Sequence, residues 1–174
     1  VEYLGIRNYT SNIKDAYENT LASIKAAGLE PSAQAVLNLA PRLRMTTLYA
    51  FSQTLNGRVA NTCNLSEDWI GYSTRYGDSA GDFGPVAGLT VEEVLQVGDY
   101  LGVPYNLVHK IPSDGLSGMS DEDKIGFTYA VLDKYIRTGV CEDEETKAKI
   151  DRMNRINAFK LKPLPFYKPD EELL

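Results

Sequence analysis

The stretch GRVANTCNLSEDWIGYSTRYGD, residues 57–78, joins a short apolar segment to a long polar loop. Its first part, Arg58 to Thr62, is mostly apolar and partly β-branched, which predicts a buried strand. From Asn61 to Gly88 the chain is rich in Asn, Ser, Thr, Asp and Gly, with aromatic residues between them. Such loops are too polar for a core and too aromatic for a disordered linker, and they are usually functional. We therefore expect a ligand site in the loop that follows Thr62.

Helical periodicity flanks this stretch on both sides. Helices are expected over Asn12 to Gly28, Asn38 to Leu55, Thr90 to Gly102, Ser120 to Gly139 and Asp143 to Met153. Further short strands are expected over Arg7 to Ser11 and Pro104 to Lys110. In the second helix Pro41 would lie in the first turn, where its missing N–H costs little. Strands that alternate with helices indicate an α/β fold, in which ligands bind beyond the carboxyl ends of the strands.

The composition excludes several classes of function. The 174 residues are 43% hydrophobic and 24% charged, which is typical of one globular domain. A formal net charge of -6 argues against a nucleic-acid partner. No apolar run approaches the length of a membrane helix, and no secretory signal opens the chain. Cys63 and Cys141 are too few and too far apart for a disulfide framework or a zinc site. We therefore expect a cytoplasmic protein with neither a nucleic-acid nor a membrane partner.

Charged side chains are concentrated in and just before the polar loop. They are Arg42, Arg44, Glu67, Arg75, Asp78 and Asp82. Magnesium prefers one or two carboxylates together with phosphate oxygens, and Arg binds phosphate or carboxylate through paired hydrogen bonds. The pattern suits a magnesium–phosphate ligand as well as it suits a solvated loop with surface ion pairs, and composition alone leaves both open.

Several motifs resemble the conserved centre of the NAD synthetase family. They are PRLRM at 41–45, NTCNLSE at 61–67, GYSTRYGD at 71–78, GDF at 81–83 and PSDGL at 112–116. Many polar positions match in order and spacing, and the similarity runs from Val1 to about Pro165. The resemblance implies an ATP pyrophosphatase whose α/β fold is a doubly wound parallel sheet.

The resemblance also implies a reaction. In this family the nicotinate carboxylate of deamido-NAD attacks the α-phosphate of ATP and releases pyrophosphate. Ammonia then attacks the adenylate, which gives NAD and AMP. The protein would be an ammonia-dependent carbon–nitrogen ligase, a homodimer, with Mg²⁺ as its metal and no residue assigned to acid–base or nucleophilic catalysis. Two alternatives stay open: another ATP pyrophosphatase with a different substrate, and a non-catalytic fragment that dimerises.

Single residues receive roles from the same resemblance. Glu67 would coordinate magnesium, and Thr62 and Ser113 would contact ATP. The residues that would contact deamido-NAD are Arg42, Arg75, Asp82, Phe159 and Lys160.

Three departures from the family pattern bear on these roles. Val91 stands where many members have a Lys that contacts ATP, and Arg75 stands where a Lys is usual. Cys63 and Asn64 stand where many members have Asp-His. We expect Cys63 to be a packed thiol, since the single His109 lies far away in sequence.

The Ser-Gly-Gly-X-Asp-Ser phosphate loop of ATP pyrophosphatases has no match in the sequence. Residues 1–174 are therefore expected to form the carboxy-terminal part of the domain, without its amino-terminal strands and with an extended tail over 157–174. On this interpretation the chain alone would show no synthetase activity and weak or no ATP binding, and adding the preceding region would restore both.

Overall fold

The computed structural model describes residues 4–112 and 120–167, which are mainly helical. The helices are α1 (Lys14–Ala26), α2 (Ala33–Thr54), α3 (Leu65–Ile70), α4 (Val91–Tyr100), α5 (Tyr105–Val108), α6 (Asp121–Ile125), α7 (Tyr129–Thr138), α8 (Glu144–Asn157) and a 3-10 helix (Ala158–Lys160). Two compact units divide the chain: residues 1–63 with 73–87, and residues 64–72 with 88–174.

In the first unit α2 begins earlier than its periodicity predicts. Ser32 caps the helix, because its hydroxyl accepts a hydrogen bond from the N–H of Ala35 at 3.2 Å. Pro41 consequently lies inside the helix and is buried there. The expected start near Asn38 is therefore wrong: the cap and the strong helix formers after it outweigh the one hydrogen bond that an interior proline removes.

The expected strands of the first unit are not formed as strands in the described residues. Residues 7–11 are irregular, and the segment over Arg58 to Thr62 makes a single parallel bridge, from Ala60 to Phe83. The backbone pairs there through Asn61 N–H to the Phe83 carbonyl and Asp82 N–H to the Val59 carbonyl, at 2.8 and 2.7 Å. Val59 is buried, as expected of a strand. The doubly wound sheet is not visible in the part of the chain that the structure describes.

Two expectations for the second unit are corrected. Residues 104–110 contain the short helix α5 and no strand, because Pro104 opens a helical turn that Tyr105 and His109 stabilise by stacking at 4.3 Å. The single helix predicted from Ser120 to Gly139 is two helices, since Gly126 adopts a φ of 77° and Thr128 caps α7 anew. The ends themselves, at Ser120 and Gly139, are confirmed.

The core of the second unit lies between α3, α6, α7 and α8. Its buried members are Ile70, Ile125, Phe127, Tyr129, Leu132 and Ile150. The predicted capping box at Thr90 is confirmed, as is the start of α8 at its cap Asp143, although α8 continues to Asn157. The tail therefore begins with a helical turn, Ala158–Lys160, and is irregular only from Leu161 to Tyr167. Residues 168–174 of the expected tail lie outside the described residues.

Membrane-spanning character is absent from the helices that the structure describes. None of them is both long enough and apolar enough to cross a bilayer.

The end of α3 requires glycine. Gly71 has a φ of 64°, and a Cβ atom there would lie 2.2 Å from Cβ of Asn157. At Gly139, which ends α7 with a φ of 73°, an added Cβ would meet nothing within 4 Å.

We expect Gly71→Ala to lower the free energy of unfolding by about 3 kcal/mol or more, because backbone strain and overpacking add, whereas Gly139→Ala should cost only about 1 kcal/mol of strain. Urea unfolding of the full-length protein measures both values. Equal costs for the two variants would show that Asn157 does not pack against Gly71.

Candidate functional site

The polar loop of the first unit is attached to α2. Thr74 donates its hydroxyl to the amide oxygen of Asn38 at 3.0 Å, and one helical turn further Arg42 donates Nε to the carbonyl of Arg75 at 3.3 Å. Asp78 closes the loop, because both of its carboxylate oxygens accept from the N–H of Thr74 at 3.1 Å. The structure thus brings Arg42 and the backbone of Arg75 together, as two residues expected to contact the same substrate.

The loop also approaches the backbone of α2 closely. A Cβ on Gly77 would lie 2.9 Å from Cβ of Pro41, so this glycine lets the loop pack where the proline interrupts the helix. The next-door Tyr76 has a φ of 60°, a conformation that costs a non-glycine residue energy. The guanidinium of Arg75 lies over the Tyr76 ring, 4.9 Å from its centroid. Arg75 and Tyr76 therefore form a cation–π pair on a half-exposed aromatic ring.

Asp82 is held by the backbone beside the parallel bridge. Its Oδ2 accepts from the N–H of Val59 at 2.7 Å, which fixes the carboxylate against the segment before Thr62. The same aspartate lines a cavity of about 290 Å³, together with Tyr49, Ser52, Gln53, Asn56, Gly57 and Arg58. This cavity was not predicted from the sequence, because its lining comes from the end of α2 and from two separated loop segments.

Cys63 is packed, in agreement with the expectation that it is not a nucleophile. It is buried, its N–H donates to the side chain of Asn61 at 2.7 Å, and its thiol contacts the carbonyl of Asp78 at 3.4 Å. Thr62 beside it is exposed at the end of the bridged segment. His109 lies in the other unit and contacts Asp99 at 3.0 Å.

Glu67 lies in the first turn of α3, where it forms a capping box. Its Oε2 accepts from the N–H of Asn64 at 3.0 Å, while the Asn64 side chain accepts from the N–H of Glu67 at 3.0 Å. The sequence contains the signal for this arrangement, since Asn64-Leu-Ser-Glu67 has the spacing of a capping box. The cap and a metal-binding role are compatible, because an ionised carboxylate has two oxygens and about four lone-pair positions.

The residue before Glu67 belongs to a buried polar network that the sequence did not reveal. Ser66 is fully buried and donates its hydroxyl to Asp133, which is also buried. Ser66 in turn accepts from the N–H of Val91 at 3.1 Å, and Asp133 accepts from the N–H of Glu92 at 2.8 Å. These contacts join α3 and α7 to the start of α4. Val91, where the family often has Lys, packs against the apolar core.

Acidic and phenolic groups meet beside the core of the second unit. Tyr72 donates its hydroxyl to Asp121 at 3.1 Å, and the N–H of Tyr129 donates to Glu122 at 2.8 Å. Burial raises the pKa of the Tyr129 hydroxyl far above its usual range, and the nearby Glu67 and Asp121 carboxylates raise it further. Burial also raises the pKa of Asp68. Tyr129 is therefore neutral at all physiological pH values.

The last two predicted residues lie in the 3-10 helix after α8. Lys160 donates its ammonium to the carbonyl of Gly71 at 2.6 Å, and Phe159 is about half exposed. Ser113 lies outside the described residues. Each unit thus contains part of the expected set: Arg42, Thr62, Arg75 and Asp82 in the first, and Glu67, Phe159 and Lys160 in the second.

Comparison with known sequences gives consistent matches. The NAD synthase family matches residues 1–164. An NH3-dependent NAD(+) synthetase of Carboxydothermus hydrogenoformans is 42% identical over 139 residues, which are 79% of this chain and 57% of that protein. One from Alkaliphilus metalliredigens is 39% identical over 171 residues, 92% of this chain and 69% of that protein. The chain thus spans little more than half of the first relative and about two thirds of the second.

Solved structures resemble the chain to different degrees. The NMN synthetase of Francisella tularensis has a TM-score of 0.88 at 35% identity, and the match covers 95% of this chain and 68% of that one. An NH3-dependent NAD synthetase of Campylobacter jejuni has a TM-score of 0.66 at 28% identity, covering 90% of this chain and 63% of that one.

Proposed function

The chain belongs to the NAD synthase family, and we propose that the protein uses ATP and ammonia to amidate the nicotinate carboxylate of deamido-NAD. The observation that carries this proposal is the family match over residues 1–164, which includes the polar loop and the capping-box glutamate. In the proposed reaction the carboxylate oxygen displaces pyrophosphate from the α-phosphate of ATP. Ammonia then displaces AMP from the resulting acyl adenylate and leaves the amide.

A second substrate is favoured by one observation. The TM-score is higher for the NMN synthetase than for the NAD synthetase of Campylobacter jejuni, at 0.88 against 0.66. The same chemistry on nicotinate mononucleotide would yield nicotinamide mononucleotide. Both substrates offer the same carboxylate, and they differ in whether an adenylate group follows the first phosphate.

The first unit suits recognition of an anionic nucleotide. Arg42 uses Nε for the loop backbone and keeps its terminal amino groups for a ligand, in the two-pronged geometry that phosphates and carboxylates prefer. We assign deamido-NAD contacts to Arg42, Arg75 and Asp82, and an ATP contact to Thr62. The cavity beside Asp82 supports this assignment, because its volume of about 290 Å³ and polar lining suit part of a nucleotide. Phe159 and Lys160 of the second unit are assigned deamido-NAD contacts as well.

Magnesium is the metal that this chemistry implies, and Glu67 fits one of its ligands. Mg²⁺ bound with phosphates needs only one or two protein carboxylates. The described residues contain no group of three or more His, Cys, Asp or Glu side chains able to hold a metal ion, which agrees with such a sparse site. When bound, the ion would offset the repulsion between the carboxylate and the phosphates of ATP. Glu67 would orient it from a side chain that the capping box already restrains.

Location and the rest of the fold are proposed on the same basis. We propose a cytoplasmic enzyme with the doubly wound parallel sheet of the ATP pyrophosphatases. The parallel bridge between Ala60 and Phe83 and the similarity to the Francisella tularensis and Campylobacter jejuni structures support the sheet.

A two-fold dimer is proposed from the apolar surface of α2. Leu37, Leu48 and Leu55 of this helix are between 41 and 53% exposed, and Tyr9, which stacks on Phe51, is 52% exposed. A surface of this kind is typical of a protein interface. Sedimentation velocity at micromolar concentration should show a dimer of the full-length protein, and Leu48→Glu should shift it toward monomer. A wild-type monomer contradicts this assembly.

The substrate is tested by steady-state kinetics on the full-length protein with ATP, Mg²⁺ and ammonium. We expect kcat/KM for deamido-NAD to exceed that for nicotinate mononucleotide by about tenfold or more, a difference of about 1.4 kcal/mol. The reverse order would select the second substrate. If neither compound is amidated, thermal shifts decide what remains: stabilisation by ATP–Mg²⁺ indicates another substrate, and no stabilisation indicates a non-catalytic protein.

Glu67→Gln separates the metal role from the cap. The glutamine oxygen can still accept from the N–H of Asn64, so α3 should stay folded, whereas the charge that Mg²⁺ needs is lost. We expect pyrophosphate release to fall about a hundredfold or more, by analogy with the loss of other charge-stabilising groups. The control is Glu93→Gln, which preserves the equivalent capping box of α4 and should retain turnover. Wild-type turnover by Glu67→Gln would remove the assigned role.

A further inference from the structure

Three side chains near the end of the described chain bind three successive carbonyls of α3. Asn154 donates Nδ2 to the carbonyl of Trp69 at 2.8 Å, and Asn157 donates Nδ2 to that of Ile70 at 2.9 Å. Lys160 donates its ammonium to the carbonyl of Gly71 at 2.6 Å. The donors are three residues apart on α8 and the 3-10 helix, so they lie along one face. We call this set the carbonyl ladder.

The ladder serves carbonyls that α3 itself leaves without partners. The last four carbonyls of any helix have no intrahelical donor, and α3 has only six residues. Tyr72 N–H takes the carbonyl of Glu67 at 2.8 Å, and Gly71 N–H takes that of Asp68 at 3.1 Å. The ladder supplies the next three. It also puts a positive charge, on Lys160, at the negative end of the helix, where it is favourable.

Glu67 is one turn away from the ladder. Its carbonyl already takes part in the C-terminal turn of α3, while its carboxylate takes part in the capping box at the other end. No rigid length of helix separates the two ends, so a shift of the ladder moves the backbone of Glu67 directly. The close approach of Gly71 to Asn157 leaves little slack, since a single added carbon would overlap.

We infer that the carbonyl ladder positions Glu67 for its metal, so that Asn154, Asn157 and Lys160 act on the amidation through α3. The inference rests on the metal role proposed above. It gives Lys160 a function beyond a substrate contact, and the two are compatible because an ammonium has three N–H donors and the Gly71 carbonyl takes one. Residues that orient a metal ligand typically change metal affinity by 10–100-fold when they are lost.

The test is a double-mutant cycle in the full-length protein, with Mn²⁺ in place of Mg²⁺. Mn²⁺ binding in the presence of ATP is followed by electron paramagnetic resonance, and activity is measured in parallel. We expect Asn157→Ala to weaken Mn²⁺ binding about tenfold, the lower end of the range for groups that orient metal ligands. In a Glu67→Gln background the same change should have no further effect, because the group it positions is gone. Arg152→Ala, an exposed change on α8, is the matched control and should leave binding unchanged.

A second variant covers the case in which Asn157→Ala does not fold. Lys160→Met removes the ammonium from the partly buried end of the ladder, should weaken Mn²⁺ binding in the same direction, and Lys160→Arg should restore most of it. Amide hydrogen exchange should show faster exchange over residues 64–72 in both ladder variants than in Arg152→Ala.

The outcomes separate the two ideas. If Glu67→Gln binds Mn²⁺ like the wild type, the proposed metal role fails irrespective of the ladder. If Glu67→Gln loses Mn²⁺ while Asn157→Ala and Lys160→Met retain it, the ladder does not position Glu67. If their effects add to that of Glu67→Gln, these residues act independently of Glu67, and the inference is overturned.

Discussion

The second unit depends on the hydrogen bonds at the two ends of α3. Six residues cannot form a stable helix in water, because nucleation fixes many dihedral angles for very few hydrogen bonds. Here the amino end is closed by Asn64 and Glu67, and buried Ser66 ties it to α4 and α7. The carboxyl end is closed by α8 and the turn after it. The position of α3 is therefore a property of the whole unit, and the unit packs around it.

The sequence predicted the elements that have local signals. Thr90, Ser120 and Asp143 each cap a helix as their types and spacings indicate, and Gly139 ends one. It failed where distant contacts decide. Nothing local marks Gly126 as a break rather than a tolerated glycine, or shows that an interior Pro41 can be accommodated against Gly77. In the candidate site, motifs identified Glu67, but Ser66, Asp133 and Asn157 gain their roles from neighbours far along the chain.

The departure at Val91 has a structural context that the sequence lacks. In this chain the side chain at 91 packs against the core, and its backbone N–H is bound by Ser66. A buried serine paired with a buried aspartate thus organises the start of α4, where many members of the family carry a cation. Since Asp133 is enclosed and hydrogen-bonded twice, this organisation is costly to disturb. The replacement of Lys by Val is therefore part of a consistent local packing and not an isolated loss.

The two cysteines differ in access in a way that makes them natural reporters. Cys63 is buried in the first unit, while Cys141 is partly exposed at the turn between α7 and α8. A thiol-specific reagent added to the native protein will label Cys141 first, since access limits the reaction. Cys63 will react only when its surroundings open, and the rate of that second, slower modification gives the free energy of local opening in the first unit. The loop around Asp78 can thus be followed without introducing a foreign label site, by mass spectrometry of the intact protein.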